Sequence, residues 1–267
     1  ENLGGRYVDK NLLDEAIRVY VEELNSLPFY PRCQSFSLLA DLTNVSQEAE
    51  KLDVCREQLL RCKKGFESSY TVYVDSVSYA DSTSEADDEM PEKYEMYIRF
   101  CDRLLKRIDL IGKQAPELEF MHVFNADSSL TIGSLRGKVV ILDFWTTWCG
   151  SCTMGYIELR KLYDEYKPRG FEIIGVTSLQ GKYNDIETGE VEEGLEQERE
   201  VEITAEYIKN KKLIWPCAIA KESIFNNAYV ISSVPTLVVI DREGRIRMIR
   251  SFVGELEQKR RMIERLL

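Results

Sequence analysis

Apolar residues recur along this chain at two different periods, and the change between them divides it near residue 110. Before that point the spacing is helical. Leu12, Leu13, Ile17, Tyr20, Val21 and Leu24 share one face of a 3.6-residue helix, a second run covers about 47–79, and a third lies between Pro91 and Leu110. Between the last two, Ala80 to Glu89 is polar and acidic without an apolar period, which predicts a solvated loop. From residue 139 the pattern changes. Val139 to Trp145 is a continuous apolar run of buried-strand length, and Met154, Ile157, Leu159, Leu162 and Tyr166 make a helical stripe that stops at Lys167-Pro168-Arg169-Gly170. Phe171 to Thr177 reads as the next strand, so a helix joins two buried strands and the pair is expected to be parallel. Ile203 to Lys211 then reads as a helix, and Leu213 to Ile219 as a short strand that Pro216 confines to an end or an edge. Thr236 to Ile240 and Arg245 to Ser251 flank the turn Asp241-Arg242-Glu243-Gly244, and Leu256 to Leu267 supplies a closing helix. The expected architecture is a small all-helical domain, 1–110, followed by an α/β domain, 111–267, whose mixed sheet carries helices on both faces.

Composition narrows the function without deciding it. With 267 residues and 44% apolar content, the chain can bury one sizeable core and a smaller one. Its 46 acidic residues outnumber 35 basic ones and no basic stripe stands out, which argues against nonspecific nucleic-acid binding. No stretch reaches membrane-spanning length, and Glu1 to Gly5 has no basic-then-apolar signal. Acid is densest near 180–202, where Glu187, Glu190, Glu192, Glu193, Glu196, Glu198, Glu200 and Glu202 fall close together. That insertion is expected to be a solvated cap leading into a helix, or, in a functional reading, an acidic rim that selects basic partner segments.

The candidate chemistry lies in the cysteines, of which the chain has seven. Cys149 and Cys152 follow the apolar strand directly, at the start of the next helix. The free N–H groups and positive dipole end of a helix N-terminus stabilise a thiolate, which makes Cys149 the expected nucleophile. Cys152, one turn on, is placed to attack a mixed disulfide at Cys149 and release the partner. A zinc site would need four ligands, and the chain has one histidine, His122, and no second close pair. Cys33, Cys55, Cys62 and Cys101 precede this centre. Cys55 and Cys62 are two helical turns apart and cannot bridge each other, so any bridge must reach Cys33 or Cys101; free buried thiols are the other reading. Cys217, beside Pro216, is expected in the core.

In sequence order, Gly112-Lys113-Gln114-Ala115-Pro116, Asp143-Phe144-Trp145, Trp148 to Cys152, and Ser233-Val234-Pro235-Thr236 carry a family resemblance. The motif resembles thioredoxin, and the frame from Ile111 to Leu267 is similar to the TlpA/ResA group of extracytoplasmic thiol-disulfide oxidoreductases. The resemblance implies a thioredoxin-like fold for 111–267 and says nothing of the helical part. It makes Pro235 the family's cis-proline facing the CxxC, with the Val234 backbone offering hydrogen bonds to an extended polypeptide substrate. It matches Asp143 to thioredoxin's buried acid, which takes the proton of the resolving thiol. Trp148 would shield the disulfide and join the docking face, and Gly254 corresponds to a loop glycine beside it. Two departures matter. Many TlpA/ResA relatives have another residue in place of Asp143 and use a glutamate elsewhere. Ser151 stands where many relatives have proline, which leaves an N–H and adds a hydroxyl near the thiolate; extra donors favour the reduced form and make the disulfide more oxidising.

The expected activity is therefore thiol-disulfide exchange with protein substrates, as a reductase before an oxidase or isomerase. It would need no cofactor beyond a redox-active Cys149–Cys152 disulfide, and an upstream electron donor. The implied setting is periplasmic or otherwise extracytoplasmic, with anchoring through a removed N-terminal segment. Two alternatives are a thiol peroxidase, because Thr146-Thr147-Trp148-Cys149 contains T-x-x-C, and a binding module whose helical domain is the point. For the helical domain, partner docking, packing against the redox domain and spacing from an anchor explain the same stripes.

Overall fold

The two hydrophobic periods become two compact units, Glu1–Asp109 and Leu110–Leu267, in the computed structural model. It describes residues 10–29, 33–79, 90–225, 228–250 and 256–267. The first unit contains α1 (Lys10–Ser26), α2 (Cys33–Glu48), α3 (Leu52–Tyr79) and α4 (Met90–Ile108). Each buries a stripe in one shared core that includes Ile17, Leu24, Leu39, Leu42, Leu59, Phe66, Tyr97 and Leu104. The run read over about 47–79 is α3, starting at Leu52, and α2 before it is not expected from the sequence. Glu50 takes a left-handed φ of 60°, and Lys51 N–H returns to the Ser46 carbonyl at 2.9 Å, which closes α2. The position lacks the glycine that usually announces such a stop. The acidic stretch 80–89 lies outside the described residues, as do Gly254 and Glu1 to Gly5.

The second unit is built on a six-stranded mixed sheet. Its strands are β1 (Phe120–Phe124), β2 (Val139–Phe144), β3 (Phe171–Ser178), β6 (Cys217–Ala220), β7 (Thr236–Ile240) and β8 (Ile246–Arg250), in the order β1-β6-β3-β2-β7-β8. A separate hairpin, β4 (Lys182–Asp185) with β5 (Glu190–Glu193), interrupts the connection from β3 to β6. β2 and β3 are buried along their whole length and pair in parallel, joined by α5 (Gly150–Tyr166) and a short 3₁₀ turn. Gly170, with φ 89°, ends that turn and hands the chain to β3. β7 and β8 close the other edge as a hairpin, with Gly244 at φ 77° in its turn.

Side chains on one face of the sheet pack with α5, α6 (Gln197–Asn210) and α7 (Leu256–Leu266), as Tyr156, Leu159, Tyr207 and Ile263 show. The expectation of helices on both faces holds for this face only. The opposite face is covered by Leu110, Ile111, Leu118, Ile132, Leu135, Ile224, Tyr229 and Ile231, which come from connecting segments and a single 3₁₀ turn. Within α5 the buried positions are Cys152, Gly155, Tyr156, Leu159, Leu162, Tyr163 and Tyr166, whereas Met154 and Ile157 are 75% and 58% exposed.

Three further differences have physical causes. The strand expected over Leu213 to Ile219 shortens to β6, because Pro216 has no N–H to give the ladder. The residues before it are held instead by Asn125, whose Nδ2 donates to the Leu213 and Trp215 carbonyls at 2.7 and 3.1 Å. The acidic insertion is neither a bare cap nor a late helix start. Tyr183 and Asp185 are buried in the hairpin, Lys211 pairs with both Asp185 and Glu187, and α6 begins at Gln197. Strand β1 is half-exposed at the sheet edge and carries no strong period, so the sequence does not announce it.

Asp143, Gly175 and Cys217 are direct neighbours on β2, β3 and β6 and point to the same face. A methyl group on Gly175 would stand 2.9 Å from Trp145 Nε1, 3.0 Å from Cys217 Sγ and 3.3 Å from Trp215 Nε1. All three neighbours are fully buried. Overpacking a rigid site of this kind costs about 1–3 kcal/mol, and Gly175→Ala is expected to lower stability by that amount in a urea titration. An unchanged midpoint would show that the indoles can move aside.

Candidate active site

The C-terminal end of β2 runs directly into α5, and the cysteines sit at the joint. Cys149 is the N-cap of α5, with φ −91° and ψ 90°, and its sulfur accepts the Cys152 backbone N–H at 3.1 Å. Cys149 and Cys152 are joined in a disulfide and are 5% and 2% exposed. The Ser151 hydroxyl is 3.7 Å from Cys149 Sγ, so a second donor reaches the same sulfur. Helix geometry thus directs a backbone amide, a side-chain hydroxyl and the positive end of α5 at one atom.

Asp143 lies six residues before Cys149, on the face of β2 that packs against α5. It is 2% exposed, and its Oδ2 has no hydrogen-bond partner among the described residues. Burial raises its carboxyl to about pH 7, and the positive charge of Lys259 opposes part of that rise. Lys259 projects from α7, is 4% exposed, and hydrogen-bonds Glu158 of α5. Desolvation lowers the Lys259 pKa while Glu158 holds it up. Lys259 did not stand out in the sequence, although it occupies the Leu256, Lys259, Ile263 stripe that faces the core. A lysine on the buried stripe of an amphipathic helix is the signal that was available.

The peptide bond between Val234 and Pro235 is cis. Phe144 at the end of β2 is paired with Thr236 at the start of β7, so Pro235 lies at the same end of the sheet as Cys149. The structure therefore brings Asp143, Trp148, Cys149, Cys152, Val234 and Pro235 to one end of the sheet. Gly254 lies outside the described residues. Cys217 is fully buried, and its thiol is pushed up by desolvation and by the Asp143 charge. It has no path to solvent as a third exchanging thiol.

The insertion contributes contacts that have no local sequence signal. Glu200, in the first turn of α6, accepts the backbone N–H groups of Gln180 and Gly181 at 2.7 and 2.8 Å. The Gln180 side chain then accepts the Trp148 indole N–H at 2.8 Å. Lys182 Nζ stands 5.5 Å from the Trp148 ring centroid, and the Phe225 ring stacks on it at 6.4 Å. Asn184 N–H reaches the Thr147 hydroxyl at 3.4 Å, and Ile186 Cδ1 would lie 3.2 Å from a methyl placed on Gly150. One hairpin and its flanks thus touch three residues of the motif. Among the described residues, no group of three or more histidine, cysteine, aspartate and glutamate side chains is placed to hold a metal ion.

This fold and this joint define a thioredoxin-like thiol-disulfide oxidoreductase. A model of the AhpC/TSA family matches residues 111–249, and the chain belongs to that family. It is similar to the thiol-disulfide oxidoreductase ResA of Halalkalibacterium halodurans, with 31% identity over 148 residues covering 55% of this chain and 70% of the relative. ResA of Geobacillus thermodenitrificans is 29% identical over 156 residues, covering 58% and 76%. Among solved structures, a putative thiol:disulfide interchange protein DsbE from Chlorobium tepidum aligns with 58% of this chain and 96% of its own, at 21% identity and a TM-score of 0.43. The residues that the family model matches all fall in the second unit.

Two measurements follow from the geometry. The unfolded Asp143 ionises near about pH 3.9, while the folded one holds its proton to about 7. Across that window the unfolded chain binds fewer protons, so this group makes stability fall as pH rises, by about 1.4 kcal/mol for each unit. Asp143→Asn is expected to raise the melting midpoint at pH 8 and leave it unchanged near pH 4. Gln180→Leu removes the acceptor of the Trp148 indole, a bond worth about 0.5–1.5 kcal/mol. Trp148 emission is expected to shift to the red and iodide quenching to increase; unchanged spectra would show that the ring is held by Phe225 and Lys182 alone.

Proposed function

We propose that this protein exchanges electrons with protein disulfides through the Cys149–Cys152 couple and works as a reductase. The observation that carries the exchange chemistry is the convergence of the Cys152 amide and the Ser151 hydroxyl on the Cys149 sulfur at the N-terminus of α5, while the reductase direction rests on the resemblance to the TlpA/ResA group. Those donors stabilise a thiolate at Cys149. In the reduced protein, that thiolate attacks a substrate disulfide, expels one substrate sulfur as thiolate and leaves a mixed disulfide. Cys152 gives its proton to the Asp143 carboxylate and attacks the Cys149 sulfur, which expels the second substrate sulfur. The two cysteines lose two electrons, and the substrate disulfide gains two electrons and two protons. A second dithiol protein upstream restores the pair, so no cofactor is needed. The Val234 backbone beside Pro235 offers hydrogen bonds to an extended substrate segment, and Trp148 forms part of the docking face. An extracytoplasmic setting belongs to this reading, on the strength of the resemblance to the TlpA/ResA group. No helix among the described residues is long and apolar enough to cross a membrane.

Thr146 bears on the peroxidase alternative. Its hydroxyl is buried and makes no hydrogen bond to Cys149 or to any other described group, so the T-x-x-C spacing does not place a hydroxyl on the nucleophilic sulfur.

Cys152→Ser is expected to accumulate mixed disulfides with protein substrates, and Cys149→Ser to form none. Peroxide consumption by Cys152→Ala at a rate near the wild type would replace this reading with a peroxidase. Asp143→Asn is expected to slow resolution by about 10²-fold or more, because general acid-base help of this kind contributes 10²–10⁴. A Cys149/Cys152 reduction potential near about −250 mV or below supports a reductase, and one near about −120 mV would make the protein an oxidant.

A further inference from the structure

Outside the redox centre, the fold places two cysteines of the helical unit together, among the described residues. Helices α3 and α4 run antiparallel and form the most extensive contact in that unit. Their register can be read from pairs on either side. The Phe66 and Tyr97 rings meet at 5.0 Å, and the Tyr70 and Tyr94 rings stack at 5.7 Å. Lys63 Nζ reaches Asp102 at 2.6 Å, and Arg56 pairs with Asp109. One turn before Phe66 on α3 is Cys62; one turn after Tyr97 on α4 is Cys101. The next buried layer holds Leu59 and Leu104. Cys62 and Cys101, which like Cys55 are free thiols in this structure, therefore occupy one layer of the interface, between an aromatic pair and a leucine pair, at 3% and 0% exposure.

We propose that Cys62 and Cys101 form a second, structural disulfide that ties α3 to α4 when the chain folds under oxidising conditions. Both belong to the small side chains that let facing helices approach closely, as a disulfide requires. The other cysteines have other surroundings. Cys55 is two turns from Cys62 on α3, beyond the Leu59 layer, and directs its sulfur to the Thr43 hydroxyl of α2 at 3.5 Å. Cys217 belongs to the core of the other unit, and the Cys33 side chain is outside the described residues.

The chemistry is a two-step exchange with a disulfide oxidant, either glutathione disulfide or the disulfide of a thioredoxin-like protein. One thiolate attacks the oxidant and expels its first sulfur. The second cysteine then attacks the mixed disulfide and expels the other. A bond forms between Cys62 and Cys101, the oxidant is reduced to two thiols, and two electrons and two protons pass to it. Burial decides when this can happen. Desolvation pushes the Cys101 thiol up to about 12 and raises that of Cys62, so almost no thiolate exists once the helices have closed. The bridge therefore forms while the layer is still open and is afterwards out of reach of reductants. The 80–89 segment lies inside the loop that it closes.

The test is a peptide map of the full chain, reduced, denatured and refolded in a glutathione buffer, then alkylated and digested. A peptide joining Cys62 to Cys101 is expected beside the one joining Cys149 to Cys152. In a Cys149→Ser, Cys152→Ser background, phosphine reduction of the denatured chain followed by refolding in the reductant should give a melting midpoint lower by about 8 °C or more than that of the oxidised, refolded chain. Adding Cys62→Ala or Cys101→Ala should abolish that difference, and adding Cys55→Ala should leave it. The proposal is overturned if Cys62 and Cys101 are both alkylated in a sample where Cys149–Cys152 is oxidised, or if Cys101 is joined to Cys33 or Cys55. The wild-type map decides even if an alanine variant fails to fold.

Discussion

The abrupt start of α5 is the constraint on which the rest of the second unit depends. A strand buried on both faces cannot end in open loop without exposing its backbone, and here it turns into a helix within six residues. The first turn of that helix has more amides than carbonyl partners, and the Cys152 N–H is shared between the Cys149 carbonyl at 3.0 Å and the Cys149 sulfur at 3.1 Å. A sulfur takes the capping position that an oxygen usually occupies, so the group that closes the helix is also the group that reacts. The β2–β3 crossover and the pairing of β7 beside β2 set the walls around this point.

Some of the charge in this unit is arranged in pairs and threes with at least one buried member. Asp143 keeps a carboxyl near neutrality because it is deprived of water, and the cation that faces it, Lys259, is itself tied to Glu158. Lys211, 7% exposed, draws Asp185 and Glu187 together at the end of the hairpin. The density of acid in the insertion, which reads as a solvated surface, therefore has a partly structural purpose. Glu200 shows this most directly, because its two oxygens hold the chain where β3 leaves the sheet.

The features legible in the sequence were those with a strong local signal. An uninterrupted apolar run, a proline and glycine stop, and a CxxC at a strand-to-helix junction each have few alternatives, and they led to the fold and to the dithiol. What escaped has a common cause. The break at Glu50 lacks glycine, β1 alternates too weakly to stand out, and the roles of Gln180 and Glu200 depend on a partner far away in the chain. The face covered by connecting segments differs from the expected helical cover for a related reason. Burial by irregular chain leaves no period, whereas burial by helix does.

The row formed by Asp143, Gly175 and Cys217 ties together residues that look independent in the sequence. Its centre has room for two indole edges and a sulfur only because the middle strand contributes a hydrogen atom there. Trp145, Trp215 and Gly175 are thus a single structural word spelled by three separate strands and loops. In related chains they should change together: where one tryptophan gives way to a smaller residue, the glycine becomes free to acquire a side chain.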